Sequence, residues 1–209
     1  MAIVRSARRR GRMDERVRGR YVGLPEGAAS MASMLDIAVP IVMLVVFASC
    51  MCTGGLSDLA SMRIPNRVSV VLVATFVLLA PVSGISLALY GTHLLAGVAV
   101  FAVGFALFAA NVIGGGDAKM IAATAVWFGL SGDLADFLVS TAIAGGVLAL
   151  CILALRAAAG RLAGVGIPLP AHFHDARAGL PYGVAIAFAG LVTIMHTPLA
   201  QMAIARFHA

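Results

Sequence analysis

The chain has 209 residues, of which 61% belong to the apolar set AVILMFWYC and only 11% are charged, at a mean hydropathy of +1.01. A soluble domain is about 45–50% apolar and about 25% charged, so a water-soluble globule of this size has nowhere to hide such a surface. Soluble enzymes, disordered chains and disulfide-stapled secreted domains are excluded, and lipid is the solvent for most of the chain. The formal charge of +6 suggests nucleic acid until it is located. Eight of the arginines fall within the first twenty residues, and the later cations are scattered singly without interleaved aromatics, so no nucleic-acid partner is expected.

Residues 1–30 form this Arg-rich extension (Arg5, Arg8, Arg9, Arg10, Arg12, Arg16, Arg18 and Arg20). Residues 1–30 are expected to be disordered or an over-extended start: Met31 and Met34 stand directly before the first apolar run, and a start there removes eight arginines that would otherwise have to cross the membrane. N-terminal sequencing tests this. The rival is a signal peptide, a basic region followed by an apolar one, with Phe47-Ala48-Ser49-Cys50 a poor lipoprotein-type cleavage site. Residues 31–209 are expected to form a single membrane domain.

A membrane-crossing helix needs about 20 mainly apolar residues. Six stretches qualify in chain order: 34–52, 68–90 (weakened by Pro81 and Gly84), 93–113, the short 118–130, 134–155 and 182–199. All must be helical, since lipid offers no partner to an unpaired backbone group. The expected fold class is therefore all-α, a polytopic membrane protein of about six transmembrane helices. Helices two and three separate Asp58 from Asp117, which places both on one face together with Arg63, Arg67, Lys119, Arg156, Arg161 and Arg177. The opposite loops, near residues 81–92 and 131–136, hold no Lys or Arg. The positive-inside rule makes the aspartate face cytoplasmic.

An ionisable residue at membrane depth is a functional hypothesis by default. Asp133 and Asp136 are explained by solvation in a short loop. Asp58 and Asp117 sit in turn-forming clusters, Gly54-Gly55-Leu56-Ser57-Asp58 followed by Arg63-Ile64-Pro65-Asn66, and Gly114-Gly115-Gly116-Asp117-Ala118-Lys119. Two carboxylates brought close cannot both ionise cheaply and share a proton. That is the arrangement of aspartic peptidases, in which one carboxylate activates water and the other protonates the scissile carbonyl. Taken alone, however, Gly-Gly-Gly-Asp is a helix N-cap more often than a catalyst.

With Lys119, the 114–117 segment resembles the GxGD motif of the type IV prepilin peptidases. Asp58 followed by Ile64-Pro65-Asn66 is similar to that family's first-aspartate segment, and Pro181-Tyr182-Gly183 resembles its Pro-aromatic-Gly opening of the last helix. The resemblance runs from about residue 31 to the end, and the short forms serving tight-adherence (Flp-type) pili are most similar. It implies an intramembrane aspartic endopeptidase that cuts the basic leader from prepilins and pseudopilins after a Gly, at the cytoplasmic face of the bacterial inner membrane. Asp58 and Asp117 are the catalytic pair it implies, with Gly114, Gly116, Lys119, Ile64, Pro65, Asn66, Pro181 and Gly183 in support. No metal or cofactor is expected. The implied partners are the prepilin substrates, the bilayer and the pilus assembly machinery. Longer members carry two Cys-x-x-Cys pairs and also N-methylate the new terminus; such pairs are missing here, so methyl transfer is not expected.

Other features have plainer readings. Lys119 suits tuning of Asp117, lipid phosphate binding or membrane-edge anchoring. Pro65-Asn66 suits a rigid turn, Pro181 helix initiation, and Gly183 close packing. His172, His174 and Asp175 read as solvated, His93 and His196 as interfacial, and Cys50 and Cys52 as small apolar helix residues. Two other classes stay open: a small proton-coupled transporter or channel, whose relay aspartates would sit near mid-bilayer, and a non-catalytic subunit of a pilus or secretion machine, indifferent to loss of either Asp.

Overall fold

The computed structural model describes residues 25–164 and 179–207. Arg161 lies in a helix whose side chains are undescribed there, and His172, His174, Asp175 and Arg177 fall outside the described residues. The chain divides into two compact units, residues 1–38 and 39–209. In the first, the described residues from Glu26 onward are helical. Everything below concerns the second.

Seven helices and no strands occur among the described residues: α1 (Glu26–Ser61, here from Val39), α2 (Asn66–Leu79), α3 (Leu87–Ala109), α4 (Gly115–Phe128), α5 (Gly132–Gly164), α6 (Tyr182–Ile194) and α7 (Pro198–Phe207). Three segments are long and apolar enough to cross a membrane unaided: Ile37–Ser61, Leu87–Ala109 and Gly132–Ala158. The chain is thus an all-helical polytopic membrane protein. The 14 residues of α2 and of α4 reach only about 21 Å, short of a hydrocarbon core of about 30 Å. Helix α4 is packed among its neighbours, whereas α2 packs on α4 and leaves Val70, Val71 and Leu78 exposed.

Three expected boundaries move. The stretch expected at 68–90 is two elements, because the chain turns at residues 80–85 and Ser86 then caps α3 by accepting from the Leu89 N–H at 3.3 Å. The last expected helix breaks at residues 195–197, and α7 follows. The Gly54-Gly55 pair is no turn, since α1 runs on to Ser61. Its glycines serve close approach instead: a Cβ on Gly54 would lie 2.8 Å from Cε of Met120, and one on Gly55 3.0 Å from Cβ of Ala187.

Lipid tails are as apolar as leucine, so helix association in a bilayer rests on close packing and hydrogen bonds. Helix α4 is the centre of that packing. Nine of its residues are buried, including the run Ala122–Phe128, and it contacts α2, α3, α5 and α6. Helix α3 meets it through Gly97 and Gly104, and a Cβ on Gly97 would overlap the Val126 side chain. The far end of the bundle is an aromatic cluster. Trp127 lies 5.0 Å from Phe47 and 5.8 Å from Phe76 by ring centroid, and its Nε1–H donates to the Leu72 carbonyl at 3.2 Å.

His93, expected to be a lone interfacial residue, is half-buried, stacks on Phe76 at 5.0 Å and places Nδ1 2.8 Å from the Val126 carbonyl. Val126 is in the last turn of α4, where carbonyls have no intrahelical partner, and His93 supplies one. The outward faces of α3 and α5 expose Val98, Phe101, Val103 and Phe105, and Val139, Ile143, Val147 and Leu150, as lipid-facing surfaces require.

Candidate active site

Asp58 lies in the last turn of α1. The helix ends because Met62 takes a left-handed conformation (φ 55°), its N–H donating to the Asp58 carbonyl at 2.8 Å. Ser57 Oγ then donates to the Arg63 carbonyl at 2.8 Å and ties down the connection. Pro65, extended at φ −63° and ψ 135°, is the N-cap of α2. The expected Pro-Asn turn is instead a helix start: Pro65 caps α2 and Asn66 is its first residue, so Pro65 fixes where α2 begins. It also fixes Ile64, which is half-buried and points its side chain at the site.

Asp117 arrives by a different route. Helix α3 closes in a Schellman motif around Asn111 (φ 56°), with Val112 N–H donating to the Leu107 carbonyl and Asn111 N–H to that of Phe108, both at 2.9 Å. Gly114 is the N-cap of α4, so Asp117 is not a cap but the third residue of the helix. Its carboxylate accepts from the Gly114 N–H, which is the acidic half of a capping box. A Cβ on Gly114 would sit 2.8 Å from Oδ2 of Asp117.

The third segment is the start of α6. Pro181 is its N-cap and is fully buried. One residue into the helix, the Gly183 N–H donates to Oδ2 of Asp58 at 2.7 Å. This N–H is among those a helix leaves unpaired at its start, and the helix dipole favours a carboxylate there. Each aspartate is thus held at a helix N-terminus: Asp117 in its own, Asp58 in that of α6.

These segments meet closely. A Cβ on Gly183 would lie 2.9 Å from both Cβ of Asp58 and Cδ1 of Ile64, and one on Gly116 would lie 3.3 Å from Cβ of Ile64. Ile64 therefore fills the space between the glycine faces of α4 and α6, beside the aspartates. Asp58 is only 6% exposed and Asp117 is half-buried, and the two carboxylates act on each other electrostatically. Carboxylates in this relation are suited to general acid–base work, since the pair readily holds one proton.

Of the expected site residues, Asp58, Asp117, Ile64, Gly114, Gly116, Pro181 and Gly183 are brought together. Lys119 and Asn66 are exposed at the rim and pair with each other, Lys119 Nζ donating to Asn66 Oδ1 at 3.1 Å. Lys119 thereby links α4 to α2. Two residues outside the expected set join the site: Tyr182, noted in the sequence only as the aromatic of its Pro-aromatic-Gly segment and within electrostatic reach of Asp117, and Gly145, against which its ring rests. Their signal was slight, an aromatic between Pro181 and Gly183 and one glycine among many. Among the described residues no cluster of three or more His, Cys, Asp or Glu gathers that would suit a metal. Cys50 is buried and Cys52 exposed, both free.

Comparison with curated proteins and with solved structures finds no match. The model of the type IV leader peptidase family matches residues 45–154, just over half of the chain. The match includes Asp58, Ile64-Pro65-Asn66 and Gly114–Lys119, and ends before Pro181-Tyr182-Gly183. On that match, the chain belongs to the type IV leader peptidase family, whose members are membrane peptidases acting on prepilins.

Proposed function

We propose that this peptidase is an aspartic endopeptidase in which Asp58 and Asp117 act together around one water. The ionised carboxylate takes a proton from the water, whose oxygen bonds to the scissile carbonyl carbon. The protonated carboxyl gives its proton to the carbonyl oxygen. The tetrahedral gem-diol then collapses: one hydroxyl returns its proton to the carboxylate that gave one, the C–N bond breaks, and the leaving nitrogen takes up the proton of the carboxyl that received one, which restores the pair. The observation carrying this reading is that two carboxylates from separate helices, each accepting a backbone N–H, are brought to one place where Ile64 packs on both Gly183, beside Asp58, and Gly116, beside Asp117.

The finer specificity rests on the motif resemblance. The substrates are Flp-type prepilins and pseudopilins, cut after a Gly at the base of a basic leader. Arg63, Arg67 and Lys119 surround the aspartate end of the bundle, which supports a cytoplasmic orientation in the bacterial inner membrane. No cofactor enters the reaction, and pilus assembly components are the expected downstream partners.

The test is co-expression with a Flp-type prepilin, following the leader by gel shift and mass spectrometry. Wild type should cleave after a Gly. Asp58→Asn and Asp117→Asn should each abolish cleavage at unchanged membrane levels. Cleavage retained in either variant would refute the paired-carboxylate mechanism.

A further inference from the structure

The geometry points to Tyr182, seated against Gly145, as a positioning residue that sets the Gly183 N–H on Asp58. The inference rests on the aspartic-peptidase reading and concerns how one of its carboxylates is held. The bond from Gly183 to Asp58 spans 2.7 Å between segments 125 residues apart, so something must fix the start of α6. Pro181 fixes one side, with φ at −73° and its ring fully buried. Tyr182 fixes the other. Its ring crosses to α5 and lies so close to Gly145 that any Cβ there would overlap Cε2, Cζ and the hydroxyl oxygen. The hydroxyl donates to the Thr141 carbonyl at 3.4 Å, one helical turn before Gly145. The side chain is thus held at its outer edge and tip.

The neighbouring glycine sharpens the point. A glycine inside a helix is destabilising relative to alanine, because it loses more backbone freedom on folding. At Gly146 a Cβ would meet nothing within 4 Å, whereas Gly145 is the place where only glycine leaves room for the ring. The notch is therefore specific to one face of α5. Displacing the ring moves the peptide between Tyr182 and Gly183, and with it the donor to Asp58. Tyr182 acts through that peptide, without contact to the reacting atoms.

The test uses the full-length enzyme in detergent with a purified Flp-type prepilin, measuring kcat and KM separately. Gly145→Ala and Tyr182→Leu should each lower kcat about tenfold or more with KM within about twofold, since misplacement near 1 Å costs about a hundredfold. Tyr182→Phe, which keeps the ring in the notch, should recover kcat to within about threefold of wild type. Gly146→Ala should leave both constants unchanged. The double variant Gly145→Ala/Tyr182→Leu should be no worse than Tyr182→Leu alone, because nothing remains to be displaced. Retained kcat in Gly145→Ala, additive losses in the double variant, or a rise in KM alone would each overturn the inference. Asp58→Asn run alongside separates the two failures. If it still cleaves, the peptidase mechanism falls; if it is dead while Gly145→Ala is fully active, only the positioning role falls.

Discussion

Replacing Gly183 by alanine is the sharpest single probe of the site. The added Cβ would stand 2.9 Å from Cβ of Asp58, 2.9 Å from Cδ1 of Ile64 and 3.0 Å from the carboxylate oxygen itself. Ile64 offers only the tip of a side chain and can yield. Cβ of Asp58 is fixed to the α1 backbone and cannot, so the start of α6 must withdraw. Withdrawal lengthens the 2.7 Å bond from the Gly183 N–H to Oδ2. A hydrogen bond to a charged group is worth about 1.5–3 kcal/mol, and each 1.4 kcal/mol is a decade in rate, so prepilin cleavage should fall about 10- to 100-fold. The crowding itself costs about 1–3 kcal/mol of stability, so protein levels and thermal unfolding in detergent must be measured alongside. Gly146→Ala, whose Cβ meets nothing, is the matched control. A Gly183→Ala enzyme cleaving within twofold of wild type at equal levels would refute the proposed role of this N–H.

The far end of the bundle yields three more expectations. Trp127 is the single tryptophan and is only 4% exposed, so its fluorescence should resist aqueous quenchers, and Trp127→Ala should cost about 3–5 kcal/mol by thermal unfolding. Removing the His93 ring nitrogen from the Val126 carbonyl, as in His93→Leu, should cost about 1 kcal/mol in the same assay and leave cleavage intact at matched folded fraction. Gly97→Ala drives a Cβ into Val126 at the α3–α4 contact and should destabilise by about 1–3 kcal/mol, while Gly91→Ala on the same helix meets nothing and should gain about 0.5–1 kcal/mol. Equal effects at the two glycines would mean that α3 does not pack on α4 through Gly97.

Composition and hydropathy made the membrane class and the helical segments legible, because lipid leaves the backbone no alternative to helix. They failed where chemistry within a run is uniform. Residues 80–86 are mostly apolar, so the turn that divides α2 from α3 reads like a helix with two weak points until Ser86 is seen capping α3. The Gly54-Gly55 pair reads as a turn, since the partners that make use of the absent Cβ atoms, Met120 and Ala187, lie far along the chain. Asp117 reads as an N-cap because the capping role of Gly114 depends on its φ and ψ, not on a side chain. The bond of His93 to Val126 and the seat of Tyr182 at Gly145 are tertiary contacts that no local pattern announces. The candidate carboxylate pair, by contrast, was legible: acids are rare in an apolar chain, and counting crossings put Asp58 and Asp117 on one face.

The two carboxylates are held unequally, and the difference is measurable without substrate. Asp117 takes its N–H from Gly114, three residues away in the same helical turn, whereas Asp58 takes its own from Gly183, 125 residues away on another helix. The first bond survives as long as α4 does. The second exists only while α6 is docked against the end of α1. Hydrogen exchange separates them: Asp58→Ala should speed exchange at the Gly183 amide by about 10- to 100-fold, the loss of about 1.5–3 kcal/mol of protection, and leave Gly114 unchanged. Asp117→Ala should do the reverse. If Asp58→Ala leaves the Gly183 amide as protected as before, the bond is not what holds α6 in place, and docking of that helix must be ascribed to the packing of Gly55 on Ala187 and of Gly190 on Met51 instead.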